Sequence, residues 1–108
     1  MMRSDNQIGF VAFWKATDLW FTEQEKNKKL FMKQLEDVFA KAKQNGVVMH
    51  GVYDCSWSSE WRYFTFWQCP DLDTLEEICQ ALVAIGDINK YNVQRHFVGR
   101  AVEDAIIQ

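Results

Sequence analysis

Two histidines, three arginines in strand-like runs and a dense group of aromatic side chains are the residues here that could do chemistry. His96 stands in NVQRHFVGRAV, beside Arg95. Imidazole titrates near neutral pH, so His96 could act as a general base. An inward-pointing Arg95 could hold an anionic or enolate oxygen. The plainer readings are a packed histidine and a solvated arginine. His50, between Val48 and Val52, fits a satisfied core residue at least as well as a catalyst. Arg62 could simply pair with Asp54 across a hairpin, a modest surface contact. Two histidines on different strands, with no acid at helical spacing, do not make a metal site. No metal ligands and no cofactor are therefore expected. Ser56, Ser58 and Ser59 have no partner histidine at fixed spacing, and neither GxSxG nor HExxH occurs. The five glycines are scattered and form no phosphate loop.

The aromatic residues concentrate in Val47 to Cys69, VVMHGVYDCSWSSEWRYFTFWQC, which holds three of the five tryptophans. This stretch reads as two strands joined by a serine-rich turn. If Cys55 pairs near Trp61, then Tyr53 faces Tyr63 and Gly51 faces Thr65. One face then carries Met49, Gly51, Tyr53, Trp61, Tyr63, Thr65 and Trp67. The other carries Val48, His50, Val52, Asp54, Arg62, Phe64, Phe66 and Gln68. The second set reads as a floor beneath helices. The first, with phenol hydroxyls and a glycine gap, reads as a place where a flat apolar ligand stacks. Tyr53, Tyr63 and Trp67 are the preferred pocket residues, with Trp14 and His50 completing the candidate ligand-binding set. The competing reading is interface core without a ligand.

Those residues need a scaffold, and 108 residues allow one domain with a modest core. Apolar residues make up 48%, too many for disorder. A net charge of −3 with no basic block gives no indication of nucleic acid. No apolar run reaches membrane-spanning length, and the polar start MMRSDNQ lacks a signal peptide's apolar stretch. A cytoplasmic protein without membrane contact is expected. Cys55, Cys69 and Cys79 are odd in number and lack CxxC spacing, so reduced thiols are expected rather than a disulfide framework or zinc.

Hydrophobic period assigns the elements. Ile8–Lys15 is a strand apolar on both sides, hence central. Ala16–Phe21 is a connection whose Trp20 and Phe21 must fold back on the core, cover a pocket mouth or meet a second subunit. Thr22–Gly46 reads as one helix, with Thr22 and Glu25 as a capping box and Gly46 at its end. Val47–Cys55 and Trp61–Cys69 are strands, and Pro70 closes the second. Asp71 to about Ile85 is a second helix, capped by Asp71 or Asp73. Asn92–Val102 is the fourth strand, followed by a short tail in which Ile106 and Ile107 could pack.

The order is β-α-β-β-α-β, an α+β ferredoxin-like arrangement. It gives a four-stranded antiparallel sheet with both helices on one face. The other face cannot be polar, because strands one and three are apolar on both sides. A second copy of the chain is the simplest cover. This order, the chain length and the aromatics on both faces resemble the dimeric α+β barrel superfamily over Ile8 to Val102. Its members pair two ferredoxin-like sheets face to face. They include cofactor-free oxygenases of aromatic polyketides, stress-response barrels, sugar mutarotases and haem-degrading enzymes. The resemblance implies a small homodimer that binds an apolar or aromatic ligand between sheet and partner. Two alternatives stand beside it: a cofactor-independent monooxygenase or isomerase acting on an aromatic or enolisable substrate, and a non-catalytic dimerisation or regulatory module.

Overall fold

Seven elements follow one another in the computed structural model, which describes residues 7–102. They are β1 (Ile8–Ala16), α1 (Asp18–Thr22), α2 (Glu25–Gln44), β2 (Val48–Asp54), β3 (Tyr63–Cys69), α3 (Leu72–Ile85) and β4 (Asn92–Arg100). The strands form one antiparallel sheet in the order β2-β3-β1-β4. The doubly apolar β1 is central, as its pattern requires, and the helices lie on one face. This is the expected ferredoxin-like arrangement with one short helix added. The suggested packing of Ile106 and Ile107 lies outside the described residues.

The helix ends follow from local chemistry. Asp71 caps α3 by accepting the Thr74 backbone N–H at 2.7 Å, and Gly86, at φ +97°, ends it in the left-handed conformation. Gly46, at φ +92°, plays the same part just beyond α2. The start of α2 departs from expectation. Thr22 does not cap a helix over 22–46. It closes the single turn of α1, where its hydroxyl donates to the Leu19 carbonyl at 3.3 Å. A fresh helix then begins at Glu25 with no side-chain cap. Glu23 occupies the break, accepting the Gln24 N–H at 2.8 Å and the Asn27 amide at 3.0 Å.

Pairing fixes the two faces of the sheet. Ile8, Phe10, Ala12 and Trp14 lie opposite Cys69, Trp67, Thr65 and Tyr63. Most of these are buried, and they pack with Leu75, Ile78 and Leu82 of α3, so this face lies beneath the helices. Val11 and Phe13 lie opposite Phe66 and Phe64 on the open face. The sequence-based assignment was the reverse. Tyr63, Thr65 and Trp67 belong to the helix side, and Phe64 and Phe66 to the open side.

The hairpin register explains why its two tyrosines separate. Val48 and Met49 pair with Gln68 and Trp67, but Val52, Tyr53 and Asp54 pair with Thr65, Phe64 and Tyr63. One extra residue is absorbed between Met49 and Val52, a β-bulge centred on His50 and Gly51. Gly51 takes φ +89°, and the Thr65 hydroxyl donates to its carbonyl at 2.8 Å. The bulge shifts the following residues by one, which turns Tyr53 to the open face. There it stacks on Phe64 at 5.1 Å.

Candidate functional site

Helix α2 packs on α3 and leaves a gap above the sheet. The gap is a cavity of about 930 Å³ between α2 and the strands. Its floor is Phe10, Trp14, Tyr63, Thr65 and Trp67, and its roof is Phe31, Leu35 and Phe39. The size lies within the range of small-molecule sites, and a mostly apolar lining with a few polar groups is their usual composition. Phe10 and Trp67 meet at 5.0 Å, Phe39 meets Trp67 edge-on at 5.9 Å, and Trp14 lies 4.6 Å from Tyr63. These contacts leave a broad aromatic floor that a flat molecule can cover.

Helix α1 shapes one side. Trp20 packs on Phe31 and Tyr91 at 5.6 and 5.4 Å, so the connection does fold back on the core. Phe21, also in the lining, stays 71% exposed and stands at the rim. One short helix thus supplies both wall and edge.

The polar groups gather at two places. At the hairpin end, Arg62 reaches Asp54 at 3.5 Å on the surface and lies over the Tyr63 ring at 5.2 Å. Tyr63 first, then Asp54, hold the guanidinium more firmly charged. On the β4 side, Asp87 accepts the Asn92 amide at 3.0 Å on one oxygen and the Gln94 amide at 2.9 Å on the other. Burial raises the Asp87 pKa above its ordinary value, against the pull of both amides. Gln94 also accepts from His96 Nε2 at 2.6 Å. Because the other end of that amide donates to Asp87, neutral His96 carries its proton on Nε2. One side of its ring packs on Phe10 at 4.9 Å, and burial lowers its pKa.

Of the expected ligand-binding residues, Trp14, Tyr63 and Trp67 come together in the cavity. Tyr53 does not join them, nor does His50. His50 stacks on Phe66 at 5.1 Å and hydrogen-bonds Gln68 at 2.8 Å on the open face. Arg95 and His96, suggested as a catalytic pair, point to opposite faces. Arg95 pairs with Phe13 and covers Phe97 on the open side, whereas His96 pairs with Ala12 on the helix side. His96 meets the cavity's polar corner only through Gln94. Asp87 was missed. The signal lay in an acid just past a helix-ending glycine, followed by Asn92 and Gln94 two residues apart on one strand face. Among the described residues, no group of three or more His, Cys, Asp or Glu could hold a metal ion. No helix among them is long and apolar enough to cross a membrane.

Solved structures similar to this one share its fold. A haem-binding protein from Thermus thermophilus matches 97% of the chain with a TM-score of 0.75 at 13% identity, over 44% of its own length. A mutant chlorite dismutase from Candidatus Nitrospira defluvii matches 94% with a TM-score of 0.71 at 9% identity, over 42% of its length. The chain thus spans less than half of either. A dimeric ferredoxin-like protein from an uncultured marine organism matches 91% with a TM-score of 0.55 at 15% identity, over 96% of its length. These likenesses show a shared ferredoxin-like α+β fold. No curated protein matches the sequence. The match of residues 7–105 to its family model makes the chain a member of DUF6616, a family of unknown function.

Proposed function

We propose that this protein is a homodimer that binds a flat apolar or aromatic molecule in the cavity between its sheet and α2. The observation that carries the reading is the cavity itself, about 930 Å³ lined by indole and phenyl rings. A module made only to dimerise needs no space under its helix face. The dimer is supported separately by the open face. Phe13 touches Phe64 and Phe97 there at 5.5 and 6.2 Å, and Val48, Tyr53 and Phe97 are exposed around them. An apolar face of this kind calls for cover. The marine neighbour, which has almost the same length, is a dimeric protein.

Haem is a candidate because the Thermus neighbour binds it. Proteins hold haem iron through His, Cys, Met or Tyr side chains. The lining contains Met32, Met49 and Tyr63, but neither histidine and no cysteine. Tyr63 is already engaged with Trp14 and Arg62. A histidine-ligated haem does not fit this donor set, and the ligand proposed is an organic molecule without iron.

Light scattering tests the assembly, with twice the 12.7 kDa chain mass expected. A panel of naphthols and hydroxyquinones, followed by tryptophan fluorescence and thermal shift, tests the cavity. A ligand present at 100 times its Kd should stabilise the native state by about 2.7 kcal/mol. Leu35→Trp, which fills the cavity from α2, should abolish the shift. Equal shifts in both proteins, or none in the wild type, would overturn the reading.

A further inference from the structure

Among the described residues, Asp87 is the one acidic side chain in the cavity lining. Three cations also belong to the lining, but they are peripheral. Lys15 and Lys43 are exposed, and exposed Arg62 is paired with Asp54. Lys15 Nζ lies 5.7 Å from the centre of the Trp61 ring. The charge set into the wall is therefore a carboxylate.

Its setting is built. The Asp87 backbone N–H bonds the Leu82 carbonyl at 2.9 Å, which fixes the residue just past α3. Each carboxylate oxygen accepts one carboxamide N–H, from Asn92 and from Gln94, and keeps a further lone pair. His96 holds Gln94 from behind. Gln94 lies directly opposite Trp14 across the β1–β4 pair, so the carboxylate holder and the indole of the floor are neighbours. Trp20 belongs to the same lining. Indole faces attract cations, most strongly where water is excluded.

We propose that the cavity selects ligands bearing a protonated amine, whose ammonium group pairs with Asp87 while its apolar body lies on the aromatic floor. This rests on the reading of the cavity as a ligand site and specifies the ligand's charge. Burial disfavours the Asp87 carboxylate in the free protein, as its raised pKa reflects. An ammonium partner within hydrogen-bond distance offsets that cost. An anionic ligand would instead meet like charge at this wall, and a neutral one would leave the carboxylate with only its two amide donors and no opposite charge.

The test uses three probes of equal body: 2-phenylethylamine, 2-phenylethanol and phenylacetate. Binding to the full chain is followed by tryptophan fluorescence. The amine should bind roughly 10- to 100-fold more tightly than the alcohol, the range of a charge-assisted hydrogen bond. Phenylacetate should bind no better than the alcohol. Asp87→Asn should remove the preference for the amine over the alcohol, with the fold checked by circular dichroism. The selectivity of the wild type alone decides the matter should that variant not fold. If the alcohol binds and the amine gains nothing, or if phenylacetate binds best, this inference fails while the cavity reading stands. If neither these probes nor the neutral aromatic panel bind, both fail.

Discussion

The hydroxyl of Tyr91 donates to Glu23 Oε2 at 2.9 Å, tying the break between α1 and α2 to the entrance of β4. Glu23 also accepts from Asn27 and from the Gln24 backbone. Asn27, Gln24 and Tyr91 together hold its pKa at about 2, against an ordinary value of 4.5. A carboxyl depressed in this way stabilises the fold fully above its unfolded pKa and loses that contribution as pH falls through the folded one. Melting temperature should therefore decline between about pH 4.5 and pH 2. Glu23→Gln should flatten that part of the curve. A decline of unchanged steepness in the variant would assign the acid sensitivity to other carboxylates, among them Asp54 and Asp71, which hydrogen bonds to Ser56 and Thr74 also hold low.

Gly51 is where the hairpin changes register, and its φ of +89° is a conformation that side chains with a Cβ resist. Nothing lies within 4 Å of where a Cβ would stand, so a substitution there meets strain without a clash. Gly51→Ala should cost about 1–2 kcal/mol. For a chain of this size that lowers the melting temperature by roughly 4–8 °C per kcal/mol. An unchanged midpoint would mean that β2 re-pairs without the bulge, which amide exchange along β2 would reveal.

That bulge also marks where the sequence stopped being legible. The succession of strands and main helices and the central place of β1 follow from periods of two and 3.6, which Ile8–Trp14 and Leu75–Leu82 display openly. The faces do not follow, because a single extra residue at His50–Gly51 sends Tyr53 away from Tyr63. Residue type misled as well. The unadorned rings of Phe13, Phe64 and Phe66 suit a surface that meets another surface. Trp14, Tyr63 and Trp67 suit a floor with space above it. Nothing in a one-dimensional pattern says that α2 stands off the sheet, so the cavity could be expected but not placed. Asp87 was missed for a related reason: the acid past Gly86 and the Asn92/Gln94 pair become one site only through the turn that brings them together.

Phe13 is central to the open face, between Phe64 and Phe97. A carboxylate there would be desolvated in any face-to-face dimer and harmless in a monomer. Phe13→Asp should therefore convert the proposed homodimer to a monomer in light scattering and leave the far-ultraviolet circular dichroism intact. A variant that remains dimeric would place the contact on another surface. Because the cavity lies beyond the opposite side of the sheet, the monomer should still bind the amine probe.

The three cysteines differ in how far they can react. Cys69 is fully buried against Ile8 in the core, and burial pushes its thiol up to about 11. Thiolate is the reacting form, so Cys69 presents almost none near neutral pH and no path to reagent. Cys55 is also buried, whereas Cys79 on α3 is only half covered, its pKa raised by burial too. At pH 8, Ellman's reagent should find at most one slowly reacting thiol in the native protein, Cys79, and all three in guanidinium. Cys79→Ser should remove the slow phase. Rapid reaction of three thiols without denaturant would mean that the sheet and α3 separate far more readily than their packing implies.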